Sequence, residues 1–181
     1  LDRINPKSAS FDEKKLQWMN GQHIHMCDNA FLKDLMKEGL AKKGIDLSNE
    51  SEERLDMIVT LLKPRAHFVQ DLADMAVYFF NAPTSYDEKG AKKHFGPGSK
   101  ALATLVRDTL ASIEDFKTPV IEKAFYDLAE RSGHKVGELV GAPRLAVSGV
   151  TAGPSLWELF ETVGKEETLR RMDVALPLMQ D

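Results

Sequence analysis

Apolar residues recur three and four positions apart along the first half of the chain, the spacing of one helix face. A capping-box pattern, Ser10 with Glu13, precedes the first of these segments, and Asp28 and Asn49 are placed as N-caps of the second and third. Pro64 ends the third segment. The pattern predicts four helices, whose apolar positions are Leu16 and Met19; Phe31, Leu32, Leu35, Met36 and Leu40; Leu55, Ile58, Leu61 and Leu62; Phe68, Leu72, Met75, Ala76 and Phe79.

A polar, proline-containing connection at residues 81–85 follows these helices and is the best candidate for a boundary within the chain. Beyond it we expect a short helix near residues 88–95, ended by the Gly-Pro-Gly breaker at 96–98. The next helix carries one apolar stripe, formed by Leu102, Leu105, Val106, Leu110 and Ile113.

The pattern after this stripe remains helical. Thr118 is placed as an N-cap with Pro119 at the first helical position, and the apolar face that follows, which includes Phe125, ends at Gly133. The apolar run 145–147 has some strand character, but one short run without a partner cannot form a sheet. The sequence therefore predicts an all-α chain, with Leu105 and Phe125 in the core of its second half.

Composition narrows the class of protein. The chain has 181 residues, of which 43% are hydrophobic, enough for a packed core. The lone cysteine, Cys27, and the absence of a long apolar run or signal sequence favour a cytoplasmic protein with no membrane partner, which we expect to be monomeric. The net charge of −4 argues against a domain that binds nucleic acid mainly through phosphate attraction. Three local basic pairs are either contacts for phosphates or parts of ordinary solvated helix faces: Lys42-Lys43, Lys92-Lys93 and Arg170-Arg171.

The segment 142–160 is the most diagnostic part of the chain. It combines a short apolar run, a Gly/Pro corner and the start of an amphipathic helix. Gly153 supplies a flexible backbone position, Pro154 suits the first turn of a helix, and Gly164 ends that helix. The apolar side of the helix is formed by Leu156, Trp157, Leu159, Phe160 and Val163.

This segment resembles the C-terminal region of bacterial-type glutamyl-tRNA synthetase. In that family a Pro-Leu-Arg-x-Ala-Leu-Thr-Gly sequence leads through a Gly/Pro turn to Leu-Phe-Glu and Leu-Gly-Lys-Glu elements. The corresponding elements here are residues 144–149, 153–158 and 163–166.

Three more motifs extend the resemblance to residues 11–176. Residues 11–24 are similar to the family's Phe-Asp-x-x-Lys-Leu-x-Trp-x-Asn-x-x-Tyr-Ile sequence, with His23 in place of the tyrosine. Residues 62–66 resemble its Arg-Pro-Arg turn, and residues 78–80, Tyr-Phe-Phe, resemble its Tyr-Leu-Phe sequence.

The resemblance implies a helical anticodon-binding cage made of two small subdomains. Residues 1–28 would end the stem-contact region, residues 29–82 would form the first subdomain and residues 83–181 the second. The implied partner is tRNA for glutamate. The His-Ile-Gly-His and Lys-Met-Ser-Lys type motifs with which the family binds nucleotide are absent, so we expect this chain to be a fragment without a cofactor or catalytic residue of its own. ATP and Mg²⁺ would serve the full-length enzyme, which ligates glutamate to tRNA.

Arg65 is the first candidate for contact with RNA. It follows Pro64 at a break between helices, which exposes its guanidinium, and it matches the second arginine of the family's turn. That match implies recognition of the last anticodon base, which is cytosine for glutamate and guanine for glutamine. A donor-only guanidinium can bond the O2 and N3 atoms of cytosine but faces the N1 and N2 donors of guanine. The residues alone favour the alternative, an arginine that caps a helix or forms a surface ion pair.

The remaining candidates lie in the diagnostic segment. Arg144 matches the family's Pro-Leu-Arg arginine, which the resemblance places near the anticodon loop; an ion pair with Glu138 is the alternative. The turn Gly153, Pro154 and Ser155 offers backbone groups to base edges, although it departs from the family's usual Thr-Pro-Gly sequence. Trp157 is either a stacking residue for a base or part of the core.

Other chemistry has little support in the sequence. The alternating ligands His23, His25 and Cys27 would diverge on a helix, so we expect no metal site. Two rival functions stay open: a non-discriminating synthetase that also accepts tRNA for glutamine, and a helical protein-interaction module without tRNA binding. Arg65 argues against the first rival and the retained 144–157 segment against the second.

Overall fold

The computed structural model of the chain describes residues 12–181, and its regular structure within that range is entirely helical. The α-helices are α1 (Glu13–Met26), α2 (Asn29–Lys42), α3 (Glu52–Leu62), α4 (Val69–Phe80), α5 (Glu88–His94), α6 (Ser99–Ala111), α7 (Thr118–Ser132), α8 (Val136–Ser148), α9 (Leu156–Val163) and α10 (Lys165–Ala175). Short 3₁₀ turns occupy Lys63–Arg65 and Leu176–Leu178. The predicted all-α class is confirmed.

Short polar side chains start the first three helices. Asp28 accepts a hydrogen bond from the amide of Ala30 at 2.8 Å, which confirms it as the N-cap of α2. The predicted cap Asn49 is wrong, because Ser51 caps α3 by accepting from the amide of Arg54 at 3.2 Å. The predicted box with Ser10 lies outside the described residues, and within them Asp12 caps α1.

The start of α7 also differs from the prediction by one position. Lys117 is its N-cap and Thr118 already lies in the helix, because the amide of Ile121 donates to the Lys117 carbonyl at 2.9 Å. Pro119 still occupies the first turn, where no amide donor is needed. Gly133 ends the helix with φ +73°, as the sequence predicts.

Close contact between α2 and α4 organises the first half. Gly39 of α2 faces Ala73 of α4, and a Cβ at Gly39 would collide with the Cβ of Ala73. The small residues let the two helix backbones approach closely, with α3 packed against both helices. The core between them contains Leu32, Met36, Leu40, Leu55, Ile58, Leu62, Leu72 and Phe79, all at most 1% exposed.

The second half packs α6, α7 and α10 around α8 and α9. Phe125 is fully buried, which confirms its predicted core position, but Leu105 is 43% exposed and its predicted core position is wrong. The buried face of α6 is centred on Val106 and Leu110. Leu105 lies about 100° round the helix from Val106, at the edge of a groove that also contains Arg131.

Two arginines join the halves of the chain. Arg54 of α3 donates to the carbonyl of Thr162 in α9 at 3.0 Å and to that of Phe79 in α4 at 2.8 Å. Its guanidinium also pairs with Glu50 and lies 5.4 Å from the ring centre of Phe80. These contacts tie the ends of α3, α4 and α9 to one another.

Arg171 of α10 makes a second, deeper connection and is only 2% exposed. Its Nη1 atom donates to the carbonyls of Tyr78 at 2.5 Å and Val147 at 2.8 Å, in the last turns of α4 and α8. A cation is favourable at helix C-termini, and Glu167, at 2.7 Å, balances its charge. Arg171 therefore cannot serve as the phosphate contact that the Arg170-Arg171 pair suggested.

A single buried apolar cluster includes residues from both halves, such as Phe79 of α4 and Phe160 of α9. The division near residue 82 into two subdomains, and the assignment of residues 1–28 to a stem-contact region, stay predictions. Among residues 12–181, no helix combines the length and apolar character needed to cross a membrane.

Candidate nucleic-acid interface

Arg65 lies in the 3₁₀ turn that Pro64 forms after α3, and its side chain is exposed. Its Nη1 atom donates to the carbonyl of Leu61, in the last turn of α3, at 2.9 Å. The helix-capping role considered for this residue is therefore present. It uses only part of a guanidinium that has five N–H donors, so the side chain keeps donors for another partner.

Arg144 lies on α8 and is half-buried. Its Nη2 atom donates to the carbonyl of Pro154 at 2.8 Å, whereas its buried Nη1 atom has no hydrogen-bond partner within residues 12–181. Glu138, the alternative partner, instead accepts from the backbone amide of Lys135 at 3.0 Å and lies 3.3 Å from His134. The structure thus attaches Arg144 to the predicted turn and not to the predicted ion pair.

The turn at residues 153–155 lies directly over Arg144. A Cβ added at Gly153 would be 3.3 Å from Nη1 of Arg144 and 3.4 Å from the hydroxyl of Tyr78. Pro154 is buried and precedes the N-cap Ser155, so its predicted place in the first helical turn is wrong. The first helical bond runs from the amide of Leu159 to the Ser155 carbonyl at 3.0 Å, which leaves the Pro154 carbonyl free to accept from Arg144.

Tyr78 completes this cluster, and sequence reasoning did not select it as a site residue. The residue is only 9% exposed, and its buried hydroxyl has no hydrogen-bond partner among the described residues. Burial raises the pKa of the Tyr78 hydroxyl to about 12, against the opposing effects of Arg144 and Arg65. Its signal in the sequence is a phenol within the otherwise apolar end of α4, at a position that matches the family motif 78–80.

The charge of Arg65 also acts on Arg144. Burial lowers the pKa of Arg144, and the nearby charge of Arg65 lowers it further, while Tyr78 opposes both effects. Among residues 12–181, neither arginine has a carboxylate within ion-pair distance. Arg65, Tyr78, Arg144 and the 153–155 turn therefore form a local cationic site, rich in donors, within a chain that is acidic overall.

Comparison with known proteins fits this geometry. A family model described as "Anticodon binding domain" matches residues 25–176, which is most of the chain. The chain belongs to the anticodon-binding domain family. The domain is 35% identical over 179 residues to a glutamate–tRNA ligase of Moorella thermoacetica, an alignment that covers 97% of the chain and 36% of the ligase.

Solved structures give the same result. The domain is similar to a glutamate tRNA ligase of Elizabethkingia meningosepticum in complex with its amino acid, with a TM-score of 0.83 and 32% identity. It is also similar to the glutamate-tRNA synthetase of Elizabethkingia anophelis, with a TM-score of 0.80 and 31% identity. Both alignments cover 97% of this chain and 34% of the other, so the chain spans about a third of the length of these ligases.

Trp157 of the anticodon-binding domain has a packing role. It is half-buried on α9, and its ring centre lies 4.5 Å from that of Phe125 in the core of the second half. A tilted aromatic pair at this distance stabilises the contact between α7 and α9. Stacking of Trp157 on a base stays a prediction.

The other candidate groups lie apart from this cluster in sequence. Lys43 pairs with Asp74 at 2.6 Å, and Lys92 and Lys93 are exposed on α5. His23 and His25 are exposed along α1, with Cys27 as its C-cap. Within residues 12–181 no three His, Cys, Asp or Glu side chains are grouped as metal ligands.

Proposed function

We propose that this domain binds the anticodon loop of tRNA for glutamate and thereby selects that tRNA for glutamylation. The whole protein would be a glutamate–tRNA ligase, as the relatives of the domain are, with ATP and Mg²⁺ used by a catalytic region outside this chain. Neither Arg65 nor Arg144 belongs to that chemistry. Their role in the proposal is recognition.

The observation that carries the proposal is the convergence of Tyr78 and Arg144 beneath Gly153, with the charge of Arg65 close enough to act on both. Among the described residues the two guanidinium groups have no carboxylate partner, and the buried donors of Tyr78 and Arg144 have no acceptor, which costs free energy in the unbound protein. Such unfavourable arrangements are typical of sites that bind a ligand. A ligand that presents several acceptor atoms would satisfy both features.

An unstacked anticodon base is a ligand of this kind. Proteins recognise single-stranded RNA loops through the edges of splayed bases, so a few placed donors matter more than overall charge. The acidic net charge of −4 is thus compatible with the proposal. Arg65 suits cytosine as the last anticodon base, since cytosine presents O2 and N3 acceptors where guanine presents N1 and N2 donors.

Direct binding measurements test this function. The chain is titrated at fixed salt against labelled anticodon stem-loops of tRNA for glutamate, tRNA for glutamine and an unrelated tRNA, with fluorescence anisotropy as the readout. The proposal predicts the tightest binding for the glutamate stem-loop. Equal affinity for the glutamate and glutamine stem-loops would identify a non-discriminating synthetase, and absence of binding to all three would support a protein-interaction module.

A further inference from the structure

The hydroxyl of Tyr78 is a buried donor for which no described residue supplies an acceptor. Tyr78 is about nine-tenths buried in α4, yet its hydroxyl has no partner among the described residues, and neither does Nη1 of Arg144. Buried polar groups in folded proteins almost always have partners, so each exception needs an explanation. The two atoms without partners lie next to the same point, the place that a Cβ of residue 153 would occupy. A single explanation should therefore account for both.

We propose that the Tyr78 hydroxyl is an additional RNA-binding group, which acts with Nη1 of Arg144 to bond acceptor atoms on the edge of an anticodon base. This inference rests on the proposed function and adds a residue and a chemical class to its site. The bound edge must offer at least two acceptors, since both protein atoms serve as donors. A pyrimidine, with its O2 and N3 or O4 atoms, fits this requirement.

The backbone keeps the donor pair in place. Arg171 bonds the Tyr78 carbonyl in α4 and the Val147 carbonyl in α8, one turn beyond Arg144, and so fixes the two helix ends relative to each other. The bond from Nη2 of Arg144 to the Pro154 carbonyl directs that side chain toward the turn. The donors are therefore positioned before RNA arrives, which reduces the entropy cost of binding.

Access to the pair requires movement of the turn at residues 150–153. Tyr78 lines an open cleft of about 600 Å³ between the end of α4, the 81–87 connection and the end of α8. Val150 of the turn also lines this cleft, and Val150, Thr151 and Ala152 are exposed. Gly149, with φ +77°, and Gly153 lie at its two ends, where glycine permits large backbone rotations.

The proposal gives opposite signs for stability and binding in Tyr78→Phe. Removal of an unpartnered buried hydroxyl leaves the thermal midpoint of unfolding equal to or above that of the parent. The same change weakens binding to the glutamate anticodon stem-loop by roughly three- to tenfold, the loss expected for one neutral hydrogen bond. Tyr126→Phe is the matched control, because Tyr126 is 57% exposed on α7; it should change neither quantity.

Stem-loops that lack one anticodon base at a time distinguish a base from a phosphate as the acceptor. If a base is bound, the difference between parent and Tyr78→Phe disappears for one abasic RNA and persists for the others. If the difference persists for all three, the acceptor is a phosphate and the base assignment is overturned.

Other results of these measurements would overturn the role of the Tyr78 hydroxyl. Parent-like affinity of Tyr78→Phe, or a lowered unfolding midpoint, would overturn the role of the hydroxyl while the proposed function stands. A parent chain that binds none of the stem-loops would overturn both.

Discussion

At the scale of single residues, Leu105 and Phe125 look alike in the sequence but differ in burial. Phe125→Asp places a carboxylate in a fully buried position against Trp157 and Phe160, so we expect the free energy of unfolding to fall by about 4 kcal/mol or more. Leu105→Asp is the control, because a side chain that is 43% exposed keeps its charge in water; its cost should be about 1 kcal/mol or less. Urea denaturation of both variants measures the difference, and equal losses would show that the assigned faces of α6 and α7 are wrong.

Part of the candidate site can be predicted from the sequence. Arg65, Arg144 and the 153–155 turn could be found from their place beside helix breaks and from the family resemblance. Tyr78 could not be selected, because its spacing on α4 equals that of a core residue. Only the structure shows that its hydroxyl has no partner in the described part of the chain. Whether a polar atom is satisfied depends on residues distant in sequence, here Gly153 and Arg144.

At the scale of helices, contact between α2 and α4 depends on two small side chains. Gly39→Ala would force these helices apart, and we expect a loss of about 1–3 kcal/mol of stability. Gly137→Ala is the matched control, because a Cβ there meets nothing within 4 Å on α8; it should stabilise the chain by about 0.5–1 kcal/mol. Thermal unfolding of both variants checks the opposite signs. Stabilisation by Gly39→Ala would contradict the close crossing.

We expect the connection that α10 makes between α4 and α8 to depend on pH. Hydrogen bonds from Arg170 and from Arg171 lower the pKa of the Glu167 carboxylate from its usual 4.5 to about 2. Burial acts in the opposite direction but is outweighed. A depressed pKa in the folded state means that this carboxylate stabilises the fold above about pH 4.5 and loses that effect as the pH falls toward 2. We expect Glu167→Gln to cost about 1–2 kcal/mol at pH 7, discounted for its partial exposure, and little at pH 2.

Acid titration of stability in parent and variant measures this dependence. Glu52→Gln is the control, because hydrogen bonds from Lys33 and Lys37 lower the pKa of Glu52 to a similar value on an exposed surface, where salt screens the pair. Its effect should be smaller and should fade at high salt. A Glu167→Gln deficit that stays constant from pH 7 to pH 2 would contradict the role assigned to the charge.

Helix positions follow from the apolar period, whereas helix ends and faces depend on tertiary contacts. Asp28 and Gly133 were predicted correctly because their cap geometry is local. Pro154 lies one residue before the N-cap Ser155, and its carbonyl accepts from Arg144, ten residues earlier. Leu105 is exposed because α6 turns a neighbouring face toward α8 and α10. These errors concern orientation within helices and leave the all-α class unchanged.

At the scale of the whole molecule, the chain combines a rigid helical frame with a small cationic site in an acidic protein. Arg54 and Arg171 use buried or half-buried guanidinium groups to join the two halves, while Arg65 and Arg144 retain free donors. The same residue type thus serves the fold in one pair and, in the proposed function, recognition in the other. The two pairs of arginines differ in their partners. Arg54 pairs with Glu50 and Arg171 with Glu167, whereas Arg65 and Arg144 pair with no carboxylate among the described residues.

Selection between two tRNAs is the central claim, and Arg65→Gln tests it most directly. We expect the variant to lose about 1–3 kcal/mol of discrimination between the glutamate and glutamine anticodon stem-loops, the range for one good side-chain contact to a base. Affinity for the glutamate stem-loop should fall less than affinity for the glutamine stem-loop rises. The reason is that the side-chain amide introduced at position 65 offers both a donor and an acceptor. Arg107→Gln, which removes an arginine paired with Asp173 at 2.9 Å, is the matched control and should leave the ratio unchanged. An unchanged ratio in Arg65→Gln would contradict the account and leave Arg65 with its helix-capping bond alone.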